Sequence, residues 1–182
     1  MIDYQRKCIF VHIPKTGGTS IEEAFGYSYS DLMYKKHLTP EEYMDEFGQD
    51  VWNSYFKFTF VRNPWDRMVS WLSYMQQLSL SKDPNLTLEG MLKKEEEWHI
   101  YGRQQKWLNV EYDFIGRFES LNEDFNTVCR LIGVSFHELP WYLKTEHDHY
   151  SKYYTEETKN LVEAMEIEVI NRFGYTFTSA LE

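Results

Sequence analysis

A buried strand that runs straight into a glycine-rich loop and a helix is the feature that most constrains this fold. Residues 7–13 form a mostly apolar run, which is typical of a strand in the centre of a parallel sheet. Pro14-Lys15-Thr16-Gly17-Gly18 follow, and a helix is predicted over residues 19–25, with a hydroxyl cap and acids in its first turn. Two glycines allow a tight turn that presents backbone N–H groups, so this unit predicts an anion-binding loop.

The same order of strand and helix recurs along the chain. Strands are predicted over residues 56–61 and 112–118, and Asn63 and Pro64 are a good N-cap and first residue for the helix after residue 61. Such alternation is typical of an α/β fold, so we expect a single domain over residues 1–182, a P-loop-like three-layer fold with a central parallel sheet flanked by helices. Further helices are predicted over residues 41–47, 88–98, 121–132 and 156–173.

Charge and composition exclude several classes of protein. The chain has 19 Lys and Arg against 29 Asp and Glu, a formal net charge of −10, which argues against nucleic acid as a general partner. Cys8 and Cys129 are the only cysteines, too few for a disulfide framework or a zinc site, and are interpreted as buried thiols. With no apolar run of about 18–20 residues and no signal peptide, we expect no membrane span and a cytoplasmic location, a longer precursor remaining open.

The loop itself offers a cation and several hydroxyl groups. Lys15 supplies a full charge, and Thr16, Thr19 and Ser20 supply hydroxyl donors. A hydrogen bond to a charged partner contributes about 1.5–3 kcal/mol, more than the roughly 0.3–1 kcal/mol of a helix terminus, so Lys15 should matter most. The pattern is not a Walker A loop, because Lys15 precedes the glycines. The alternative is an ordinary strand-to-helix turn.

A second candidate anion site follows the second predicted strand. Arg62 stands at the strand end, where its guanidinium could fork onto a phosphate. Ser70 lies seven residues after Asn63, two helical turns on, and so shares that face, where Arg62 and Ser70 could grip one anion together. In the alternative interpretation Arg62 pairs with Asp66 and Ser70 takes no part.

Taken together, the motifs resemble the sulfotransferases that use 3′-phosphoadenosine 5′-phosphosulfate (PAPS), especially the carbohydrate branch of 2-O- and chondroitin-type enzymes. The resemblance covers most of the chain. It is carried first by FVHIPKTGGTS at residues 10–20 and FVRNPWDRMVSW at residues 60–71. Softer matches are FIGRFESL at residues 114–121, HDHYSKYY at residues 147–154 and FGYTF at residues 173–177.

The resemblance implies a division of labour along the donor. Residues 15–20 (Lys15, Thr16, Gly17, Gly18, Thr19 and Ser20) look like the loop for the 5′-phosphosulfate. Arg62 and Ser70 look like the grip on the 3′-phosphate. Arg117 and Phe118 lie where such enzymes contact the adenine side, and Lys144, followed by Thr145, is similar in position to a loop that closes over the cofactor.

The implied reaction moves a sulfuryl group in line from PAPS to an acceptor hydroxyl, leaving adenosine 3′,5′-bisphosphate (PAP). Lys15 is the expected cation on the leaving side, and no metal is required. His37 is the first candidate for the base, with Glu22 or Glu23 as the runner-up, and His12 is expected to pack under the loop. His37 could instead be a surface histidine, and Glu22 and Glu23 could simply complement the helix dipole.

Two other function classes stay open at this point. A P-loop-type nucleotide kinase or NTPase would require ATP and magnesium, and a non-catalytic nucleotide- or carbohydrate-binding module would bind without transfer. The expected acceptor is a carbohydrate or another small hydroxylated molecule, and His147 and His149 are candidates to touch it. A lipid or a protein tyrosine is an alternative acceptor.

Overall fold

The chain divides into two compact units, each made of two stretches of sequence. A computed structural model describes residues 1–28, 35–77, 85–93, 102–135, 138–139 and 147–180. The first unit combines residues 1–61 with 106–143, and the second combines residues 62–105 with 144–182. No helix in the described ranges has the length and apolar character needed to cross a membrane.

The first unit contains a mostly parallel four-stranded sheet within the described residues. Its strands are β1 (Ile2–Asp3), β2 (Cys8–Val11), β3 (Phe56–Val61) and β4 (Phe114–Arg117), in the order β1-β2-β3-β4. β2, β3 and β4 run parallel, while β1 pairs with β2 antiparallel. The α/β fold with helices around a central sheet is therefore confirmed. The two-residue β1 was not predicted, because so short a strand has no periodicity to read.

Helices alternate with these strands, as the sequence predicts. They are α1 (Gly18–Ala24), α2 (Pro40–Phe47), α3 (Gln49–Ser54), α4 (Pro64–Gln77), α5 (Leu88–Leu92), α6 (Leu121–Leu131), α7 (Glu156–Met165) and α8 (Ile167–Phe173). Short 3-10 turns occupy Gln104–Trp107, Phe118–Ser120 and Tyr150–Tyr153. The helix predicted over residues 88–98 ends at Leu92, and residues 94–100 lie outside the described residues.

The core of the first unit is aromatic. Phe10 of β2 stacks on Phe58 of β3 with 5.0 Å between ring centroids, and both side chains are fully buried. Phe25 and Phe125 cover them from the C-terminal side of α1 and from α6, their rings meeting edge to face at 5.6 Å. Burial of such rings contributes about 1.5–3 kcal/mol each, which fixes α1 and its preceding loop on the sheet.

The segment before α2 is held by a capping box. Thr39 Oγ1 accepts from the backbone N–H of Glu42 at 3.3 Å, and the Thr39 N–H donates to Glu42 Oε2 at 2.7 Å. Pro40 occupies the first helical turn, where its missing N–H costs nothing. This firm start to α2 fixes the chain just after His37.

In the second unit, the helix predicted over residues 156–173 is in fact two helices. Glu166 ends α7 and begins α8 with φ −114° and ψ 19°, outside helical geometry. Its buried carboxylate accepts from Arg67 Nη2 at 2.8 Å and from the backbone N–H of Gln104 at 3.1 Å. The apolar periodicity that predicts the long helix carries no information about this inward turn.

Candidate active site

The glycine-rich loop turns through left-handed backbone conformations. Lys15 has φ +68° and Gly17 has φ +81°. A left-handed lysine costs about 1–2 kcal/mol, and such strain is concentrated at functional sites. Gly17 caps α1 without a side-chain bond, and the helix begins at Gly18. The predicted hydroxyl cap and first-turn acids are therefore wrong, since the earlier start moves Glu22 and Glu23 beyond the first turn.

Close packing explains why glycine occupies both central loop positions. A Cβ on Gly17 would lie 2.7 Å from Leu121 Cδ2 and 3.2 Å from Phe118 Cδ2. A Cβ on Gly18 would lie 2.2 Å from His12 Cδ2. His12 thus packs under the loop as expected. The FIGRFESL segment at residues 114–121 lies beside the loop, with Phe118 next to Gly17.

The three hydroxyl groups of the loop have different partners. Thr16 is fully buried, and its Oγ1 donates to the Ile13 carbonyl at 2.8 Å. Thr16 therefore closes the loop through its hydroxyl, and its contact with an anion stays a prediction. Thr19 Oγ1 accepts from Lys36 Nζ at 3.0 Å, so its own hydroxyl hydrogen can be donated elsewhere. Ser20 is buried, and its backbone N–H donates to the Gly17 carbonyl at 3.1 Å.

A buried charge cluster lies behind the loop. His12, Glu22 and Lys36 are 2%, 1% and 7% exposed. His12 Nδ1 lies 2.8 Å from Glu22 Oε1, and Lys36 Nζ lies 3.0 Å from Glu22 Oε2. Burial alone would raise the pKa of Glu22, but His12 and Lys36 lower it to about 2. Burial lowers the pKa of His12, so the neutral ring donates its Nδ1–H to an ionised Glu22.

This pairing separates Glu22 from the role of base. The Glu22 carboxylate is 1% exposed, with one oxygen hydrogen-bonded to His12 and the other ion-paired with Lys36, so it is not placed to meet an acceptor hydroxyl. The dipole interpretation is also wrong for Glu22, because it lies past the first turn of α1. The geometry instead makes Glu22 an anchor for His12 and Lys36.

His37 has the arrangement of an oriented imidazole. Its Nδ1 lies 3.0 Å from the His12 carbonyl, and Trp107 Nε1 donates to the His37 carbonyl at 3.1 Å. Because a carbonyl only accepts, Nδ1 carries the hydrogen and the lone pair is on Nε2. The two imidazole rings lie 4.4 Å apart. Burial and the neighbouring His12 lower the pKa of the partly buried His37 to about 3, which keeps it neutral at pH 7.

Lys36 is the residue that sequence reasoning missed. Lys35 and Lys36 stand next to each other directly before His37 in the sequence. In the structure Lys35 is half exposed and pairs with Glu46, while Lys36 turns inward to Glu22 and Thr19. Nothing in the pattern of two lysines distinguishes the buried one.

Arg117 and Asp124 link the end of β4 to α6. Arg117 is exposed, and its backbone N–H donates to Asp124 Oδ2 at 2.7 Å. The same oxygen accepts from Ser120 Oγ at 2.9 Å. These bonds fix the turn that carries Phe118 beside Gly17.

The second unit contains the other predicted anion-binding residues. Arg62 Nε lies 2.7 Å from Asp66 Oδ2, which is the pairing that the alternative interpretation gave. The Gln104 side chain accepts from the Arg62 N–H at 3.0 Å and donates to the Arg62 carbonyl at 2.9 Å, so the backbone there is clamped. Ser70 is buried on α4, one turn beyond Asp66. Lys144 and Thr145 lie outside the described residues.

Among the described residues no group of three His, Cys, Asp or Glu side chains is placed to hold a metal ion.

His147 and His149 sit at the surface of the second unit. His149 stacks on Tyr150 with 4.5 Å between ring centroids, and its Nδ1 lies 2.9 Å from Ser151 Oγ. His147 Nδ1 lies 2.7 Å from the Asp148 carbonyl, so both histidines have local partners within the segment.

A mostly parallel sheet with a strained glycine-rich loop at the end of a central strand defines an α/β enzyme fold of the phosphate-loop type. The profile of the sulfotransferase family matches residues 1–171. The chain belongs to the sulfotransferase family and is an enzyme of that class.

Two individual relatives are similar to parts of the chain. The chain is 26% identical over 179 residues to human carbohydrate sulfotransferase 9, covering 73% of this chain and 40% of that protein. It is 31% identical over 92 residues to an uncharacterized protein of Archaeoglobus fulgidus, covering 48% of this chain and 75% of the other.

Two solved sulfotransferases share the fold at low identity. The mouse sulfotransferase SULT7A1, crystallised with PAP, superposes with a TM-score of 0.58 at 15% identity, covering 93% of this chain and 86% of that one. A sulfotransferase from Alicyclobacillus acidocaldarius superposes with a TM-score of 0.54 at 16% identity, covering 94% and 96%. At these identities the likeness concerns the fold alone.

Proposed function

We propose that this enzyme transfers a sulfuryl group from PAPS to a hydroxyl group of a carbohydrate. The observation that carries the proposal is that one unit contains both features: a glycine-rich loop in which Lys15 has a left-handed backbone, and a neutral His37 whose ring is oriented by a hydrogen bond. The donor is supported by the family match and by a fold relative crystallised with PAP. The acceptor class is supported by the resemblance to a relative named carbohydrate sulfotransferase 9.

Each unit, taken by itself, contains residues that could hold one anionic group of the donor. In the first unit, the ammonium of Lys15 and the hydroxyl of Thr19 would hold the 5′-phosphosulfate, while Thr16 and Ser20 shape the loop around it. Gly17 and Gly18 let the loop pack closely on Leu121 and on the His12 ring. In the second unit, Arg62 and Ser70 would hold the 3′-phosphate. The Arg62 guanidinium also pairs with Asp66 through Nε, and a planar guanidinium can donate to more than one acceptor.

Each residue has one task in the proposed reaction. When bound, the donor supplies a sulfuryl group on a phosphate that can leave. Lys15 stabilises the negative charge that develops on the leaving side, a contribution worth about a hundredfold or more in rate. His37 Nε2 takes the proton of the acceptor hydroxyl. The fixed Nδ1–H bond to the His12 carbonyl keeps that lone pair in place.

The low pKa of His37 is compatible with this task once an anion is near. At a pKa of about 3 the ring is neutral at pH 7 and keeps a lone pair for a proton. By itself, however, it is a weak base. A nearby negative charge favours the protonated form, so a bound sulfated nucleotide raises this pKa. The base therefore becomes stronger when the donor is in place.

Calorimetry with PAP and with ATP, each with and without magnesium, tests the donor. We expect PAP to bind without magnesium and at least tenfold more tightly than ATP. Arg62→Lys keeps the charge but loses the planar fork, and should weaken PAP binding about tenfold or more. Arg130→Lys, at an exposed position on α6, is the matched control and should change nothing.

Transfer is tested with a labelled sulfate donor and a panel of acceptors. We expect label on an oligosaccharide hydroxyl and none on a tyrosine peptide. Magnesium-dependent binding of ATP in preference to PAP would overturn the donor assignment. Label on the peptide alone would overturn the acceptor class, and PAP binding without transfer to any acceptor would favour a binding module.

A further inference from the structure

The His12–Glu22–Lys36 cluster connects the loop to the base through hydrogen bonds and one ion pair. One oxygen of Glu22 holds the His12 ring at 2.8 Å, and the backbone carbonyl of the same His12 accepts from His37 Nδ1 at 3.0 Å. The other oxygen of Glu22 lies 3.0 Å from Nζ of Lys36, the residue that precedes His37 in the chain. Both routes from Glu22 therefore end at His37.

The cluster also reaches the donor loop. Lys36 Nζ donates to Thr19 Oγ1 at 3.0 Å, and Thr19 lies in the first turn of α1 directly after Gly17 and Gly18. The His12 ring, fixed by Glu22, lies under Gly18, where even a methyl group would clash. A single carboxylate thus sets the position of the loop on one side and of the imidazole on the other.

We propose that Glu22 and Lys36 are positioning residues that fix His37 as its Nδ1-protonated tautomer and hold it in register with the Thr19 end of the loop. This inference rests on the proposed role of His37 as the base. A buried ion pair is often no more stabilising than apolar residues of the same volume, so stability alone does not account for the pair. Its placement between the loop and the imidazole accounts for it.

The critical comparison is between the single variants and the double variant. Glu22→Gln leaves Lys36 buried without its counter-charge, and Lys36→Met leaves Glu22 with only His12, so each single variant should melt at a lower temperature than wild type. Glu22→Gln with Lys36→Met removes both charges at nearly constant volume. The double variant should melt close to wild type, which keeps the test valid if a single variant fails to fold.

The readout is the tautomer of His37 in the intact protein, measured by NMR on 15N-histidine-labelled samples. The His37 signals are assigned by their loss in His37→Asn. In wild type we expect one tautomer with hydrogen on Nδ1, and in the well-folded double variant a mixture of both. Lys35→Met and Glu23→Gln remove the neighbouring exposed lysine and the neighbouring glutamate, and as matched controls should keep the wild-type spectrum.

A wild-type tautomer in the stable double variant would overturn the inference, because the pair would then serve packing alone. A lost tautomer in the two controls would also overturn it, since any charge change near His37 would have the same effect. Calorimetry with PAP on the same samples separates this result from the proposed function. Failure of wild type to bind PAP would remove the donor assignment, whereas the tautomer measurement needs no ligand.

Discussion

Replacing Gly18 with Ala gives a direct test of how the loop is packed. In an open helix start this change would stabilise the protein by up to about 1 kcal/mol, because alanine has the higher helix propensity. Here the new methyl group would lie 2.2 Å from Cδ2 and 2.3 Å from Nε2 of His12, whose ring is buried and tied to Glu22. Overpacking costs about 1–3 kcal/mol, and displacing a ring bonded to a carboxylate costs about 1.5–3 kcal/mol more. The expected net destabilisation is about 1.5–5 kcal/mol.

Thermal unfolding followed by circular dichroism measures this effect. Since 1 kcal/mol shifts the midpoint of a domain of this size by about 2–4 °C, Gly18→Ala should lower it by at least about 3 °C. Gly90→Ala is a helical control whose Cβ would meet, among the described residues, only Thr87 Oγ1 at 3.3 Å, and its midpoint should stay near wild type. In a His12→Ala background the clash is removed, so Gly18→Ala should there be neutral or stabilising. Equal destabilisation in both backgrounds, or none in either, would refute the packing argument.

Three further outcomes follow from the site. Lys15→Ala should lower turnover by about a hundredfold or more, measured with labelled donor, and near-normal turnover would remove Lys15 from the mechanism. His37→Ala should lower kcat with little change in PAP affinity by calorimetry; the reverse pattern would make His37 a binding residue. Because His37 has a pKa of about 3 when folded and about 6.5 when unfolded, stability is fully present above pH 6.5 and declines as the pH falls towards 3. The melting temperature should therefore fall from pH 6.5 to pH 4, and His37→Asn should fall less; equal slopes would contradict the buried neutral state.

The central part of the fold could be predicted because its signals are local. Residues 56–61 are a strand with the predicted bounds, and α2 begins at Pro40 where proline and a capping threonine indicate a helix start. The break at Glu166 could not be predicted, because it depends on an ion pair with Arg67 that is 99 residues away in sequence. Periodicity records which face of a helix is apolar, not whether the axis continues.

The site was predictable by residue type but not by partner. Lys15, the two glycines and Arg62 are visible because their spacing after a strand has a physical meaning in phosphate binding. In the structure the Thr16 hydroxyl donates to the Ile13 carbonyl, and Arg62 pairs with Asp66. The distances that decide these contacts are not contained in the sequence. Hydroxyls and guanidinium groups have several possible partners, and only the folded backbone chooses among them.

The net charge of −10 illustrates the same separation between composition and site. At physiological ionic strength, interactions between exposed charges are screened beyond about 8 Å, so an anion responds to the charges beside it and not to the sum over the chain. Around the loop, the carboxylate of Glu22 is buried and held by Lys36 and His12, which limits its repulsion of an anion. Lys15 supplies a cation from the loop itself. An acidic protein can therefore bind a polyanion at a site where nearby carboxylates are paired with buried partners and where cationic side chains lie at the ends of strands.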